Sequence, residues 1–308
     1  MRPRSPHQAS PGGSGRTAFV LSGGGSLGAV QVGMLQALAE CDVRPQLLIG
    51  TSVGAVNAAW MAGYPGVEGS QKLREIWLAL RRGDVFPLSP WDGARGLLGR
   101  SNHVIPNHKL RALLERHIPY SRLEDAMVPL HIVTTELKSG RAMVLSSGSA
   151  VPALLASTAI PGVFPPVTIG RRTLVDGGIA NHTPIAAAIE LGASRIYVLP
   201  VGYPWLNQEP TNALGMALHA LARFVEQKLD AEVESNRSLA DIHVLPALDL
   251  PPVSPADFSR TKELIEKGYT SALRHLRAAP AGTNVEVPRE ATEAAKGLKL
   301  DPSPARAA

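Results

Sequence analysis

The sequence has a single cysteine and no long apolar run. Cys41 is the only cysteine among the 308 residues, so one chain can form neither a disulfide nor a cysteine-based metal site, which is typical of a reducing compartment. No segment approaches the roughly 18 consecutive apolar residues of a membrane-spanning helix. The apolar stretch at 18–21 is shorter than the apolar region of a signal peptide, which takes about 7–15 residues. The sequence therefore predicts a soluble, cytoplasmic protein.

Neither acidic nor basic residues are concentrated in a block. The formal net charge is +5, and the only adjacent basic pairs are Arg81-Arg82 and Arg171-Arg172. Because there is no basic stripe, we expect no nucleic-acid partner. The mildly basic balance fits either an ordinary solvated surface or weak peripheral contact with an anionic membrane surface. The sequence leaves the oligomeric state open.

A single domain is predicted over residues 17–278, with its recognisable motifs in 17–200. Residues 1–16 are rich in proline, glycine and serine, and residues 279–308 lack apolar periodicity, so both ends are predicted to be disordered. The composition of the chain, 44% apolar and 19% charged, is that of a globular protein with a sizeable core. No internal repeat or linker divides the middle.

The first part of this domain predicts the opening of a parallel α/β fold. A buried strand is expected at 17–22 and a helix over 27–40. A second strand at 47–49 then leads into a helix at 55–62, and such crossover units place their strands parallel. Further helices are predicted at 68–80, 109–117, 151–157, 184–191, 213–229 and 255–276, and further strands at 130–135, 142–145, 172–175 and 194–200.

Two later segments need separate mention. The helix at 255–276 is predicted to open on Ser254 as its cap, with Pro255 in the first turn and Asp257 at the third position. The irregular stretch 84–106 fits either a packed loop or a flap near a site.

Gly50-Thr51-Ser52-Val53-Gly54 forms a G-x-S-x-G pattern between a predicted strand and a predicted helix. On such a sharp turn the residues two positions before and after the serine must be small, because the strand and helix backbones approach closely. The turn would project the Ser52 hydroxyl from the carboxyl edge of the sheet at a helix N-terminus, whose dipole favours a developing alkoxide. Ser52 is therefore the candidate nucleophile, with Gly50 and Gly54 as its small neighbours.

Two side chains could accept the proton of Ser52. Asp176 ends a predicted strand, and Gly177 and Gly178 keep the following turn open, so its carboxylate could act directly as general base and then general acid. His182 permits a Ser-His-Asp arrangement as in a carboxylesterase. Two features favour the aspartate acting alone. Ser52 follows only the second strand, and His182 comes only six residues after Asp176, a short separation for two members of a triad.

Gly23, Gly25 and Gly28 match the G-x-G-x-x-G fingerprint of a dinucleotide-binding loop. That fingerprint requires an acidic residue at the tip of the second strand to bind a ribose, and this strand ends in glycine, threonine and serine instead. No Gly-Lys-Ser/Thr follows the glycines either, which excludes a P-loop. Two successive parallel strands place the loop beside Ser52, where the N–H groups of Gly23, Gly24 and Gly25 could bind the oxyanion of an ester's tetrahedral intermediate.

Together these motifs resemble those of the patatin-like phospholipases. A Gly-rich loop at 23–28, a G-x-S-x-G elbow at 50–54 and an Asp-Gly-Gly at 176–178 occur in the family's order. The stretch 156–166 (ASTAIPGVFPP) is also similar to the family's segment ahead of its aspartate, as are Asn181 and Pro184 after it. The resemblance covers roughly residues 17–200. One position departs from it, because the family's loop often carries Arg or Lys where this chain has Leu27.

The resemblance implies a three-layer α/β/α fold with a mostly parallel central sheet. It also implies a Ser52–Asp176 dyad without histidine, no metal, no cofactor, and the hydrolysis of acyl esters in phospholipids or lysophospholipids through an acyl-enzyme. Two alternatives stay open. One is a Ser-His-Asp carboxylesterase that uses His182, and the other is an inert module that binds a lipid or a nucleotide without turnover. The headgroup, the acyl position and the chain length have no signature in the sequence.

Overall fold

The computed structural model of the chain describes residues 15–87, 102–202, 209–210, 213–248 and 253–278. Apart from Gly15 and Arg16, the two ends predicted to be disordered lie outside these ranges, and so does most of the irregular stretch 84–106. None of the helices in the described ranges combines the length and the apolar character needed to cross a bilayer.

A sheet of mainly parallel strands forms the centre of the molecule. Its strands are β1 Arg16–Leu21, β2 Leu47–Thr51, β3 Leu130–Glu136, β4 Ala142–Leu145, β5 Val167–Ile169, β6 Arg172–Asp176, β7 Ala193–Leu199 and β8 Asp241–Val244. Their order is β5-β6-β3-β2-β1-β7-β8, and β4 pairs with β3 outside this path. The strands β3, β2, β1, β7 and β8 are paired in parallel, whereas β4, β5 and β6 join by antiparallel pairing. The predicted mostly parallel α/β sheet is confirmed.

Helices cover both faces of this sheet. Phe19 and Leu21 of β1 pack into one apolar core, and Ala18 and Val20 pack into another on the opposite face. This alternation is the period of two of a strand, and it gives each face its own helical layer. The predicted three-layer arrangement is therefore confirmed. The helices are α1 Gly28–Glu40, α2 Val53–Gly63, α3 Val67–Ala79, α4 Arg82–Val85, α5 His108–His117, α6 Ala150–Ser157, α7 Ile185–Glu190, α8 Ala213–Asn236 and α9 Thr261–Ala278.

Two element boundaries correct the sequence prediction. β1 begins at Arg16, inside the segment predicted to be disordered, because the Arg16 guanidinium donates to the carbonyl of Leu191 at 3.0 Å and ties the residue to its neighbours. α9 begins at Thr261, so the predicted helix start at Pro255 is wrong. The carbonyl of Pro255 instead accepts the N–H of Ser26 at 2.7 Å, and this long-range contact replaces a first helical turn.

Two short strands, the four-residue helix α4 and part of α8 were not predicted. β5 has only three residues, and β8, in which Asp241 and His243 alternate with apolar residues, lacks the continuous apolar run of the equally short, predicted β4. α8 runs to Asn236, past its predicted end at 229, because neither glycine nor proline occurs at 230–236 to end the helix.

β2 and β6 approach each other end to end along one edge of β3. Val133 pairs with Thr51, the last residue of β2, and Thr134 pairs with Asp176, the last residue of β6. β4 pairs with the same residues of β3 along one edge of that strand. β2 and β6 must therefore both lie along the opposite edge of β3. β2 runs parallel to β3 and β6 runs antiparallel, so their C-terminal ends meet head-on. The fold thus delivers Ser52, which follows β2, and Asp176 to one point.

Candidate active site

Ser52 lies on the turn between β2 and α2 with a strained backbone. Its φ is 54° and its ψ is −125°, a combination that non-glycine residues rarely adopt. A Cβ at Gly50 would lie 2.5 Å from the carbonyl oxygen of Gly54, and a Cβ at Gly54 would lie 2.5 Å from that of Ser22. Both positions therefore require glycine, as the G-x-S-x-G pattern predicts for a turn in which strand and helix backbones touch.

The side chain of Ser52 lies close enough to the carboxyl group of Asp176 to stabilise its charged form by hydrogen bonding. Oδ1 of Asp176 also accepts the N–H of Gly178 at 2.8 Å, which fixes the orientation of the carboxyl group. Both residues are nearly buried, with 8% of Ser52 and 7% of Asp176 exposed. The structure thus brings the two predicted side chains together.

Burial raises the pKa of Asp176 from 3.8 to about 6, since less water stabilises the charged carboxylate. The hydrogen bonds with Ser52 and with the N–H of Gly178 stabilise the carboxylate and lower the pKa, but they only partly offset burial. A carboxylate that titrates near 6 is mostly ionised at neutral pH and is a stronger base than an exposed aspartate. Asp176 is therefore suited both to take a proton and to return it.

The Gly loop between β1 and α1 lies beside Ser52. A Cβ at Gly23 would be 3.2 Å from the Cβ of Ser52, and Gly24 and Gly25 have φ values of 154° and 61°, which favour glycine. Within the described residues, the N–H groups of these three glycines donate to no protein acceptor, whereas the next N–H, that of Ser26, donates to a carbonyl. Three N–H donors are therefore available to an anion beside Ser52.

The remaining motif positions serve packing. A Cβ at Gly28 would collide with the side chain of Val53 at the start of α2, and a Cβ at Gly177 would collide with the backbone of Val133 in β3. Leu27 is fully buried and belongs to the apolar core. Leu27, at the position where patatin-like phospholipases often carry a basic residue, thus supplies no charge to this site.

His182 packs against the Gly loop and the turn after Asp176. A Cβ at Gly23 or Gly178 would come within 2.8 Å or 3.1 Å of its ring. The ring hydrogen-bonds the backbone of Gly23, and burial lowers its pKa to about 3, so the imidazole is neutral and weakly basic near pH 7. In the described part of the chain, neither His182 nor Asp176 belongs to a group of three side chains that could hold a metal ion.

An apolar cavity opens at Ser52 and runs along α2. Its empty volume is about 820 Å³, part of it open to solvent. Val53, Val56 and Trp60 of α2 line it, and at about 1.5 Å of rise per residue they reach about 12 Å along the helix from Ser52. The other walls are also mainly apolar and come from distant segments, among them Leu73, Trp77, Leu110, Leu114, Phe164 and Phe258.

A buried polar network that the sequence analysis did not predict holds both ends of the Gly loop. Nε2 of Gln31 donates to the carbonyl of Ser22 at 2.8 Å, and Nδ2 of Asn57 donates to the carbonyl of Gly28 at 3.0 Å. Asn57 also donates to Gln31 and accepts the indole N–H of Trp77. The available signal was a polar residue among apolar ones: Asn57 is the one polar side chain of α2, and Gln31 lies within the apolar first half of α1.

A sequence profile described as "Patatin-like phospholipase" matches residues 19–189, which is more than half of the chain and contains the Gly loop, the Ser52 turn and Asp176. The chain belongs to the patatin-like phospholipase family. The family resemblance inferred from the motifs is confirmed. Two residues at the patatin-like site, Pro255 and Phe258, lie beyond the matched range.

Curated relatives match this chain over a small part of their own length. Lysophospholipase NTE1 of Phaeosphaeria nodorum is 26% identical over 322 residues, which cover 94% of this chain and 20% of that protein. Patatin-like phospholipase domain-containing protein 7 of Mus musculus is 27% identical over 198 residues, which cover 60% of this chain and 13% of that protein. The chain thus spans no more than a fifth of the length of these relatives. Among solved structures, VipD from Legionella pneumophila is similar with a TM-score of 0.47 at 16% identity, over 86% of this chain and 67% of VipD.

Proposed function

We propose that the chain is a serine acyl hydrolase that cleaves carboxylic esters of phospholipids or lysophospholipids through Ser52, Asp176 and an acyl-enzyme. The observation that carries the proposal is that the ends of β2 and β6 bring these two side chains together at an apolar cavity, beside the N–H donors of the Gly loop. The names of the relatives, a lysophospholipase and a patatin-like phospholipase domain-containing protein, agree with this chemistry.

In the first half-reaction, Oγ of Ser52 attacks the ester carbonyl carbon while the carboxylate of Asp176 takes the hydroxyl proton. The carbonyl oxygen becomes an oxyanion, and the N–H groups of Gly23, Gly24 and Gly25 bind it as the charge develops. The bond from the carbonyl carbon to the alcohol oxygen then breaks, and Asp176 gives its proton to the leaving oxygen. The acyl group stays on Ser52.

In the second half-reaction, Asp176 takes a proton from a water molecule whose oxygen attacks the acyl carbonyl carbon. The Gly loop binds the second oxyanion in the same way. The bond to Oγ of Ser52 breaks, Oγ recovers the proton from Asp176, and the fatty acid leaves. Because Asp176 acts in turn as base and as acid, a pKa raised toward neutrality serves both steps.

The cavity along α2 supports a fatty acyl chain as the apolar part of the substrate. A chain attached to the carbonyl at Ser52 would extend past Val56 toward Trp60 and leave water for apolar walls. Burial of apolar surface of this kind contributes about 25 cal/mol per Å² before the costs of binding. We therefore place the acyl chain in the cavity and the alcohol part of the ester outside it.

Mass spectrometry of lipid products tests the proposal. Purified protein is incubated with mixed phospholipids and lysophospholipids, and the released fatty acids and the shortened lipids are measured. We expect release by the parent chain and none by Ser52→Ala. A folded Ser52→Ala that releases fatty acid at the parental rate would contradict the proposal. A parent chain that releases none and does not react with a fluorophosphonate would favour an inert binding module.

A further inference from the structure

The backbone N–H groups of Ser52 and Asp176 are both held by one short segment at the end of α6. The N–H of Ser52 donates to Oγ of Ser157 at 2.9 Å, and the N–H of Asp176 donates to the carbonyl of Ala159 at 3.0 Å. Oγ of Ser157 in turn donates to the carbonyl of Val133 at 2.6 Å. Ser157 is fully buried, so its hydroxyl pairs the N–H of Ser52 and the carbonyl of Val133 where water does not reach them.

The Ser157 hydroxyl lies where the ladder between β2 and β3 ends. Thr51 is the last residue of β2 that pairs with β3, opposite Val133. The chain then turns into the strained conformation of Ser52, whose N–H donates to the hydroxyl while the hydroxyl donates to Val133. A hydroxyl both accepts and donates, so it bridges two backbone groups that an alanine would leave unpaired. It thereby fixes the position of Ser52 relative to β3, the strand that also pairs with Asp176.

We propose that Ser157 is a positioning residue for the nucleophile: its hydroxyl holds the strained backbone of Ser52 at the distance from Asp176 at which the two side chains meet. The inference rests on the proposed function of Ser52 and Asp176. It goes beyond that function because neither the Ser52 turn nor the Asp-Gly-Gly turn contains Ser157. Ala159 contributes only its backbone, so Ser157 is the part of the segment that a substitution can test.

Loss of the hydroxyl has two consequences for the site. The N–H of Ser52 and the carbonyl of Val133 lose their buried partner, so the turn shifts until they find others. Separating Ser52 from Asp176 also removes a hydrogen bond that lowers the pKa of Asp176, so the carboxyl group would titrate at higher pH. A loss of global stability alone would not move that titration.

The test measures how fast an alkyl fluorophosphonate labels Ser52 at a series of pH values, below the melting temperature of each variant. In this step the Oγ of Ser52 bonds to phosphorus, fluoride leaves, and the hydroxyl proton goes to Asp176. The parent is compared with Ser157→Ala and with Ser70→Ala. Ser70 is a matched control, because it is also fully buried and its hydroxyl donates to a carbonyl, that of Val67 at 2.7 Å, but in α3.

We expect Ser157→Ala to label about 10- to 100-fold more slowly than the parent, as for a misplaced reacting group, with its acid limb at higher pH. Ser70→Ala should label like the parent. Parental rates and an unmoved acid limb in Ser157→Ala would overturn the inference and leave the proposed function standing. A parent that does not label would overturn both. If Ser157→Ala fails to fold, Ser157→Cys, which keeps only a weak donor and acceptor, is measured with the same expected direction.

Discussion

Asp176 is buried, and its carboxyl group has a pKa of about 6 instead of 3.8. The proposed base is the carboxylate, so activity should fall as the pH drops through about 6 and the carboxyl group becomes protonated. We predict an acid limb near pH 6 in kcat/KM for a small soluble ester. Because the pKa of His182 is near 3, that side chain adds no limb in this range. Full activity down to pH 4 would contradict a buried carboxylate base.

The same pKa shift predicts that stability and activity change with pH in opposite directions. The pKa of Asp176 is about 6 in the folded chain and 3.8 in the unfolded chain, so the folded chain binds the proton more tightly. Protonation of this group therefore stabilises the fold as the pH falls from about 6 toward 3.8. Asp176→Asn resembles the protonated form. We predict that it melts at or above the parental temperature at pH 7 while activity is lost. A clearly lower melting temperature at pH 7 would show that the charged form is the stabilising one.

Residues of the site differ in how far sequence could predict them. Ser52, Asp176 and their glycines belong to motifs that reflect a local backbone requirement, so a few neighbouring residues are enough to predict them. Gln31 and Asn57 act through carbonyls that approach them only in the folded chain, and no local pattern marks such partners.

Among the elements, α9 is held against α1 by two glycines. A Cβ at Gly33 would lie 2.5 Å from the backbone nitrogen of Tyr269, and a Cβ at Gly268 would collide with the carbonyl of Val30. α9 follows directly on the segment in which Pro255 contacts the Gly loop.

We predict that Gly268→Leu separates the two helices, lowers the free energy of unfolding by about 1–3 kcal/mol and slows turnover. Urea denaturation and ester hydrolysis measure the two effects. Gly83→Leu is the control, because a Cβ at Gly83 meets nothing within 4 Å. Equal denaturation midpoints for the two variants would contradict this packing.

The N-terminal half of the fold was better predicted than the C-terminal segment, and the reason is physical. Strands and helices such as β1, β2 and α1 are long enough for their apolar periodicity to define them. The residue types at 254–257 favour a helix start, yet the carbonyl of Pro255 accepts the N–H of the distant Ser26. The start of α9 therefore depends on a long-range contact, which a local sequence pattern cannot predict.

At the scale of the whole molecule, the cavity is assembled from segments far apart in the sequence. The ring of Phe258 lies 6.1 Å from that of Trp77 and 6.4 Å from that of Phe86, and Phe86 stacks on Phe164 at 5.4 Å. The sequence predicted the sheet and the family from motifs in order. It could not predict this cavity, because its walls come together only through the packing of helices on the sheet.

The cavity predicts a dependence on acyl chain length. Val56 lines it one helical turn beyond Ser52, so Val56→Phe should obstruct the path of a long chain and spare a short one. We expect kcat/KM for long-chain esters to fall by about tenfold or more, with short-chain esters little changed. Val67→Phe, on the exposed side of α3, is the control. An equal loss for all chain lengths would place the acyl chain elsewhere.

The pairing of Ser52 with Asp176 is tested most directly by kcat/KM for one small ester, measured on the parent and three folded variants. We predict background activity for Ser52→Ala and a loss of about 10²–10⁴-fold for Asp176→Asn. His182→Gln, whose amide can still donate to Gly23, should lose about tenfold at most. Near-parental turnover by Ser52→Ala or Asp176→Asn, or a loss in His182→Gln as large as that in Asp176→Asn, would contradict the dyad.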